Sequence, residues 1–293
     1  MPVLRSLQVV HHMAALDGSS APPNSLAAIR ACLAARADSI EIDVVALAHD
    51  DYLLVHDMTL QAETNGSGPV ATCTFEQARG LKIVDHGVAT DHPVALLSDV
   101  ARAFAEFSGA TRLQIDYKNI YPFTDNEPLR RLLQIIAPLG DRVIVSSIAD
   151  WQLRALHQLA PKLALGFDIQ LYIDARAPEP DAFPRALGAY GYYDDHPLAS
   201  ARIWRPSDYL RERCVSLISQ APGVRAFYVR HQLLTQSFDD GFNWADTLHA
   251  AGVELDAWTM DNGKTDASAL RLRAAGVDMF TTNTPLAMGK LIR

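Results

Sequence analysis

Cysteine is scarce. The 293-residue chain holds three, Cys32, Cys73 and Cys214, odd in number and widely scattered, which fits reduced thiols in a cytosolic protein rather than a disulfide framework or a zinc site. Long apolar runs are missing too. The opening "MPVLRSLQVVHHM" has no stretch long enough for a signal peptide and no window approaches a membrane span, so the chain reads as soluble and cytoplasmic, with no membrane partner. Positive charge is in deficit, with 26 Lys and Arg against 34 Asp and Glu and a net charge of −8. There is no general attraction to phosphate backbones, and nucleic acid is not expected as a partner. No composition shift, linker or internal repeat marks a second domain. What the chain does have is apolar mass, 49% of its residues, enough to bury a full core.

Short β-rich runs alternate with stretches of helical periodicity, the habit of a parallel sheet wrapped by helices. Strands are expected at 7–11, 39–44, 112–118, 142–147, 163–169, 225–230, 253–260 and 277–283. Between them, "NSLAAIRACLAARA", "EPLRRLLQIIAPL", "DWQLRALHQLA", "FNWADTLHAAG" and "DASALRLRAAG" space apolar residues three and four apart, as amphipathic helices do, with Asn24 and Asp150 at N-cap positions. Eight strands with helical returns point to a single-domain α/β fold, a (β/α)8 TIM barrel spanning 1–293, whose site lies at the C-terminal strand ends. A long insertion after the fifth strand, 170–221, is expected to rise over that face.

Two strands spend interior positions on polar groups. In "SIEIDV", Glu41 and Asp43 share one face while Ile40, Ile42 and Val44 share the other, and in "RLQIDYK" Gln114, Asp116 and Lys118 do the same. Burying charge costs several kcal/mol, roughly, unless it is paired or bound to metal. Three convergent carboxylates without cysteine make an all-oxygen site suited to Mg²⁺ or Ca²⁺; the alternative is a salt-bridged network in which Lys118 neutralises one acid. His56, after "YLLV", is either functional or a partly exposed capping residue. His11 and His12 end the first strand on opposite faces, so only one points into the site.

Taken together, "IEIDV", "LLVHD" with "TLQAETNGSGPV", "LQIDYK", "AWTMD" and "AAGVDMFTTNTP" resemble the glycerophosphodiester phosphodiesterase superfamily, which includes the sphingomyelinase D toxins, in collinear order over nearly the whole chain. The resemblance implies a (β/α)8 barrel, one divalent cation (Mg²⁺ or Ca²⁺) held by Glu41, Asp43 and Asp116, and two histidines acting as general acid and base on a small-molecule phosphodiester. It makes His56 one catalytic histidine, with Lys118 touching the phosphate and Trp258 lining the alcohol pocket. The family's His-Arg-Gly and Pro-Glu-Asn-Thr motifs are altered here to "HHMAAL" and "PPNS", with the Arg and the Glu absent. A gapless reading makes His11 catalytic. The His-Met of the toxins makes it His12, the preferred choice, because the Asp-x-Lys of "IDYK" also resembles that branch. "TNGSGPV" belongs to the phosphodiesterase branch.

The implied chemistry suits a glycerol or sugar phosphodiester whose neighbouring hydroxyl attacks phosphorus, giving a cyclic phosphate that is then hydrolysed. Gln114, Tyr193 and His196 join Lys118 and Trp258 as expected substrate contacts, the tyrosines of the 170–221 segment (Tyr190, Tyr192, Tyr193), Arg202 and His196 forming a lid or pocket wall or, alternatively, an oligomer contact or a plain cover of the barrel rim; an opine-type sugar diester is the specific substrate expected. Two other readings remain open: a non-catalytic sugar-phosphate binder, and a metal-independent phospholipase C-like or sphingomyelinase D-like lyase in which Arg or Lys replaces the cation.

Overall fold

The structure, a computed structural model, describes residues 7–121, 124–176, 183 and 185–293. Eight parallel strands close into a barrel: β1 (Gln8–His11), β2 (Ser39–Ala46), β3 (Arg112–Tyr117), β4 (Val143–Ser147), β5 (Ala164–Asp168), β6 (Val224–Arg230), β7 (Glu254–Trp258) and β8 (Met279–Thr282). Each pairs with its sequence neighbours, and β1 closes the ring by pairing with both β2 and β8. Every expected strand is present, so the TIM-barrel expectation holds.

Alternation along the strands sorts the side chains into two environments. Ile40, Ile42 and Val44 face outward and join the main core beneath the helices, with Leu113, Ile115, Phe167 and Phe227. The inward residues form a separate apolar plug of Val10, Ile144, Ala226, Tyr228 and Met279, against which Ala164 and Trp258 pack. Burying each large side chain of this kind contributes about 1.5–3 kcal/mol. Above the plug the inward positions turn polar.

Two expected caps are corrected. The helix Leu26–Ala34 is capped by Ser25, whose Oγ accepts the Ala28 N–H at 3.1 Å; Asn24 stands one residue earlier at φ 54° with its amide turned to Asp43. The helix Asp150–Leu159 follows Ala149, and Asp150 lies within its first turn, accepting from the Tyr172 hydroxyl at 2.8 Å and pairing with Arg154.

Two excursions leave the barrel at its C-terminal end. The longer expected insertion, between β5 and β6, carries a two-residue antiparallel pairing of Asp174–Ala175 with Tyr192–Tyr193 and the helix Pro206–Gln220. The other runs over 47–96, and of it the sequence shows only a polar turn and a second short strand within 39–57. It adds Tyr52–Leu53 antiparallel to β2, a hairpin of Lys82–Asp85 with Val88–Pro93, and a helix Phe75–Arg79 with a Thr74–Gln77 capping box. Val45, Leu47, Leu53, Val55, Leu60, Val70 and Ile83 give it a small core of its own. Among the described residues, no helix is long and apolar enough to cross a membrane.

Candidate active site

A cavity of about 360 Å³ opens at the C-terminal ends of the strands, and His12, His56, Glu41, Asp116, Lys118, Gln114 and Trp258 all line it. The strand register produces this convergence. Glu41 sits beside Gln114 and Asp43 beside Asp116 across the β2–β3 pairing, so the acidic positions of both strands face the lumen at matched heights.

Glu41, Asp43 and Asp116 each offer one carboxylate oxygen to a group whose atoms lie within 4.8 Å of one another. Lys118 Nζ lies among them, 2.9 Å from Asp43 Oδ1 and 2.6 Å from Asp116 Oδ2. One lysine does not balance three carboxylates. Burial, together with the neighbouring charges of Asp43 and Asp116, pushes Glu41 well above the usual carboxylate range, against the pull of Lys118 and the Met13 N–H that donates to its Oε2 at 2.7 Å. Burial works in the same direction on Asp43, but Lys118, His56 and the Asn24 amide at 2.9 Å outweigh it and hold that carboxyl low. Burial disfavours the Lys118 cation, yet Asp116, Asp43 and Glu41 raise it well above the ordinary lysine value. Hard oxygen donors with surplus negative charge fit a divalent cation such as Mg²⁺ or Ca²⁺.

The two histidines at the end of β1 separate as alternation requires. His11 turns outward and is buried, its Nδ1 2.8 Å from Ala15 O and 3.5 Å from Cys32 Sγ. Burial lowers its pKa, against the Ala15 carbonyl and the charges of Asp38 and Asp17. The structure keeps His11, one of the catalytic candidates, out of the cavity lining. His12 faces the cavity, with Nδ1 2.8 Å from Asn283 Oδ1. Asn283 Nδ2 donates in turn to Asp261 Oδ2 at 3.3 Å, which makes Oδ1 the accepting end of the amide and Nδ1 the protonated nitrogen of His12. Its Nε2 is then left with a lone pair. The chain bends sharply just after it: Met13 and Ala14 both adopt left-handed backbone, φ 49° and 58°, which costs a non-glycine residue on the order of 1 kcal/mol. That bend brings the Met13 N–H onto Glu41.

His56 comes from the 47–96 excursion and its side chain is 55% exposed. Its Nδ1 lies 3.0 Å from Asp57 Oδ1, and Glu63 Oε2 accepts the backbone N–H groups of His56 and Asp57 at 2.6 and 3.2 Å. Asp57, Glu63, Asn24, Asp261 and Asn283 were not foreseen as site residues. Glu63 and Asn283 lie in conspicuous motifs, yet no spacing shows that they reach His56 and His12.

Deeper in, Gln114 Nε2 donates to Ser146 Oγ at 3.2 Å, while its buried Oε1 has no partner among the described residues, nor does the Trp258 indole N–H. On the far wall Asp168 ends β5, its Oδ1 accepting the Gln170 N–H at 2.9 Å. Burial, opposed by that bond and reinforced by the charge of Asp116, pushes its carboxyl up to about 7. Just below, the Tyr228 ring lies across Gly166, where an added Cβ would stand 2.3 Å from Cε2.

The structure does not bring Tyr193 and His196, expected as substrate contacts, to the cavity lining. His196 Nδ1 instead accepts the Leu198 N–H at 3.2 Å, and Tyr193 lies beneath the Arg185 guanidinium, 6.0 Å from its ring centroid. Tyr190 stacks on Tyr209 at 4.1 Å, and the Tyr192 hydroxyl donates to Asp240 at 2.7 Å. From the β5–β6 excursion it is Asp168, Gln170 and Phe183 that reach the cavity.

The glycerophosphoryl diester phosphodiesterase family model matches residues 17–287. A glycerophosphodiester phosphodiesterase of Caldanaerobacter subterraneus subsp. tengcongensis is 25% identical over 169 residues, covering 56% of this chain and 66% of that protein. Glycerophosphodiester phosphodiesterase 1 of Bos taurus is 35% identical over 108 residues, 36% of this chain and 33% of its own length. The chain thus spans less than two thirds of the length of these relatives. Among solved structures, a glycerophosphodiester phosphodiesterase from Parabacteroides distasonis superposes with a TM-score of 0.70 at 15% identity, covering 99% of this chain and 98% of the other. An Oleispira antarctica phosphodiesterase, solved with its product sn-glycerol-3-phosphate, superposes with a TM-score of 0.64 at 17% identity, covering 97% of this chain and 96% of that one; at such identity the likeness shows the fold. With the family model matching most of its length, the chain belongs to the glycerophosphoryl diester phosphodiesterase family, a family of phosphoric diester hydrolases.

Proposed function

We propose that the protein cleaves a glycerol- or sugar-type phosphodiester, with His12 as general base and His56 as general acid. The observation that carries this reading is that both rings line the same cavity as Glu41, Asp116 and Lys118. His12 Nε2 takes the proton of a substrate hydroxyl neighbouring the phosphate, and that oxygen bonds to phosphorus. As the bond to the leaving alcohol breaks, His56 Nε2 delivers a proton to its oxygen. Water then opens the cyclic phosphate with the two rings in exchanged roles. Asn283 and Asp57 orient the rings through their Nδ1 atoms, a neutral amide behind the base and a carboxylate behind the acid.

Glu41, Asp43 and Asp116 are the residues that would hold one divalent cation, Mg²⁺ or Ca²⁺. When bound, that cation supplies charge stabilisation to the phosphoryl oxygens. Lys118 contributes the protein's own positive charge at the same place, and Trp258 and Gln114 face the alcohol. Three unpaired buried cysteines suit a reducing, cytoplasmic setting.

One observation favours a second reading. Lys118 already bridges Asp43 and Asp116, and a lyase using that cation in place of a metal would work in chelator. Hydrolysis of a glycerol phosphodiester that carries a neighbouring hydroxyl, glycerophosphoglycerol, with and without EDTA decides between them: loss of turnover in EDTA, restored by Mg²⁺ or Ca²⁺, is expected. Full activity in EDTA establishes the metal-independent reading, and no turnover of any diester under either condition leaves a binding protein.

A further inference from the structure

We infer that Asp168 and Gln114 form a hydrogen-bond-accepting subsite for the substrate's alcohol, one that takes N–H or O–H groups and rejects a fully alkylated ammonium. The inference rests on the phosphodiesterase reading of the cavity and names what that cavity selects.

Asp168 is placed on the wall by β5 and lines the cavity together with Gln114 from β3. One of its oxygens is used by the Gln170 N–H at 2.9 Å, and among the described residues the other has no partner. The cations nearby are committed elsewhere. Lys118 Nζ is bound to Asp43 and Asp116, and Arg230 Nη1 is 2.6 Å from Asp174. Gln114 is buried, spends its amide N–H on Ser146, and leaves Oε1 without a partner. Between β3 and β5 stands β4, where Ser146 pairs in register with Asp116 on one side and Gly166 on the other. Gly166 has no side chain to compete for the space, and the Tyr228 ring packed against it supplies an apolar floor.

The result is two acceptors lining one cavity, the buried Gln114 Oε1 and the half-buried Asp168 carboxylate, that no donor among the described residues fully satisfies. A protein that needed only to cap the turn at Gln170 would be served by asparagine, without a half-buried carboxyl at the cavity wall. A ligand donor satisfies both groups. An alcohol without donors leaves them dry, and a site built around hydrogen bonds rejects such an analogue by far more than a site built on apolar contact. A primary ammonium and a polyol hydroxyl share the required chemistry; a trimethylammonium lacks it.

The experiment is a titration by calorimetry in excess Mg²⁺ with two matched pairs of phosphate monoesters: phosphoethanolamine against phosphocholine, and glycerol 3-phosphate against propyl phosphate. The donor-bearing member of at least one pair is expected to bind about tenfold tighter or better. A preference in the first pair identifies an amino alcohol, and in the second a polyol. Asp168→Asn, close in shape, should reduce the preference to below about threefold, and Gln114→Met should weaken it while leaving the carboxyl in place. Equal binding within both pairs, no binding of any of the four, or a preference that survives both substitutions overturns the inference. A protein that shows the preference yet turns over no diester refutes the hydrolase reading and leaves the subsite standing.

Discussion

The two excursions from the barrel mouth are built on different principles. The 47–96 excursion is held by a cluster of aliphatic side chains and capped by a polar box, and it delivers one exposed ring, His56, to the cavity. The β5–β6 excursion packs Ile173, Tyr192, Tyr209, Leu210 and Leu217 into the main core and adds what, among the described residues, the first lacks, a buried charge network: Arg213 Nε lies 2.6 Å from Asp194, which also accepts the Tyr209 hydroxyl at 2.5 Å, and Asp174 receives Arg230. Apolar packing tolerates local shifts, whereas a charge network holds only when every member is matched. On the proposed mechanism the first arrangement carries the proton donor, and the second braces one wall of the cavity. The comparison therefore predicts chemistry lost from one and stability lost from the other.

The largest effect is expected at the tip of the first excursion. His56→Ala should lower kcat for a phosphodiester on the order of 10²–10⁴-fold, and His12→Ala by a similar factor, with unchanged circular dichroism. His11→Ala should instead leave kcat within a few-fold and lower the melting temperature, because that ring fills space against Cys32. Near-normal turnover by His56→Ala would remove the excursion's claim to the chemistry.

In the second excursion, Arg213→Met strands Asp194 without its cation in a buried site. A loss of about 3–5 kcal/mol in urea denaturation is expected, with kcat in the surviving folded fraction changed less than about threefold. A kcat collapse at full stability would show the wall to be part of the catalytic apparatus.

Asp168 joins that wall to the cavity, and its titration sharpens the contrast. Its folded pKa of about 7 lies above the unfolded value near 3.9, so the folded state binds the extra proton. Its contribution to stability is complete below pH ~4 and lost as pH rises towards ~7, beyond which the curve flattens. Measured as the difference between the intact protein and Asp168→Asn, stability should fall across that window; a flat difference would mean the carboxyl is ionised throughout.

The smallest effect is local. Thr74→Ala removes the cap of the helix Phe75–Arg79 and should cost about 1 kcal/mol, read best as faster amide exchange confined to 47–96.

The barrel was legible because strands buried on both faces must show apolar residues outward and something else inward, and Glu41, Asp43, Gln114 and Asp116 break that inward pattern visibly. The same alternation separates His11 from His12. The second core was hidden because its members are pairs two apart (Val45 and Leu47, Leu53 and Val55, Val94 and Leu96) and single residues, too short and too far separated by polar turns to show that they meet. The tyrosines of the β5–β6 excursion misled for a different reason: an aromatic residue in a long loop looks alike whether it faces substrate or, as Tyr190 does, a neighbouring helix. Asp168 passed as the end of an apolar strand, since nothing local marks a carboxyl as lacking a cation.

His12 takes its orientation from Asn283, 271 positions away, across the seam where β1 meets β8. During synthesis His12 and its support emerge 271 positions apart, with β2 to β7 made between them. A ribosome-bound chain that has completed seven strands therefore holds Glu41, Asp43, Asp116 and both histidines yet leaves the His12 ring unoriented, and on the proposed mechanism activity should appear only once the last strand has docked beside β1.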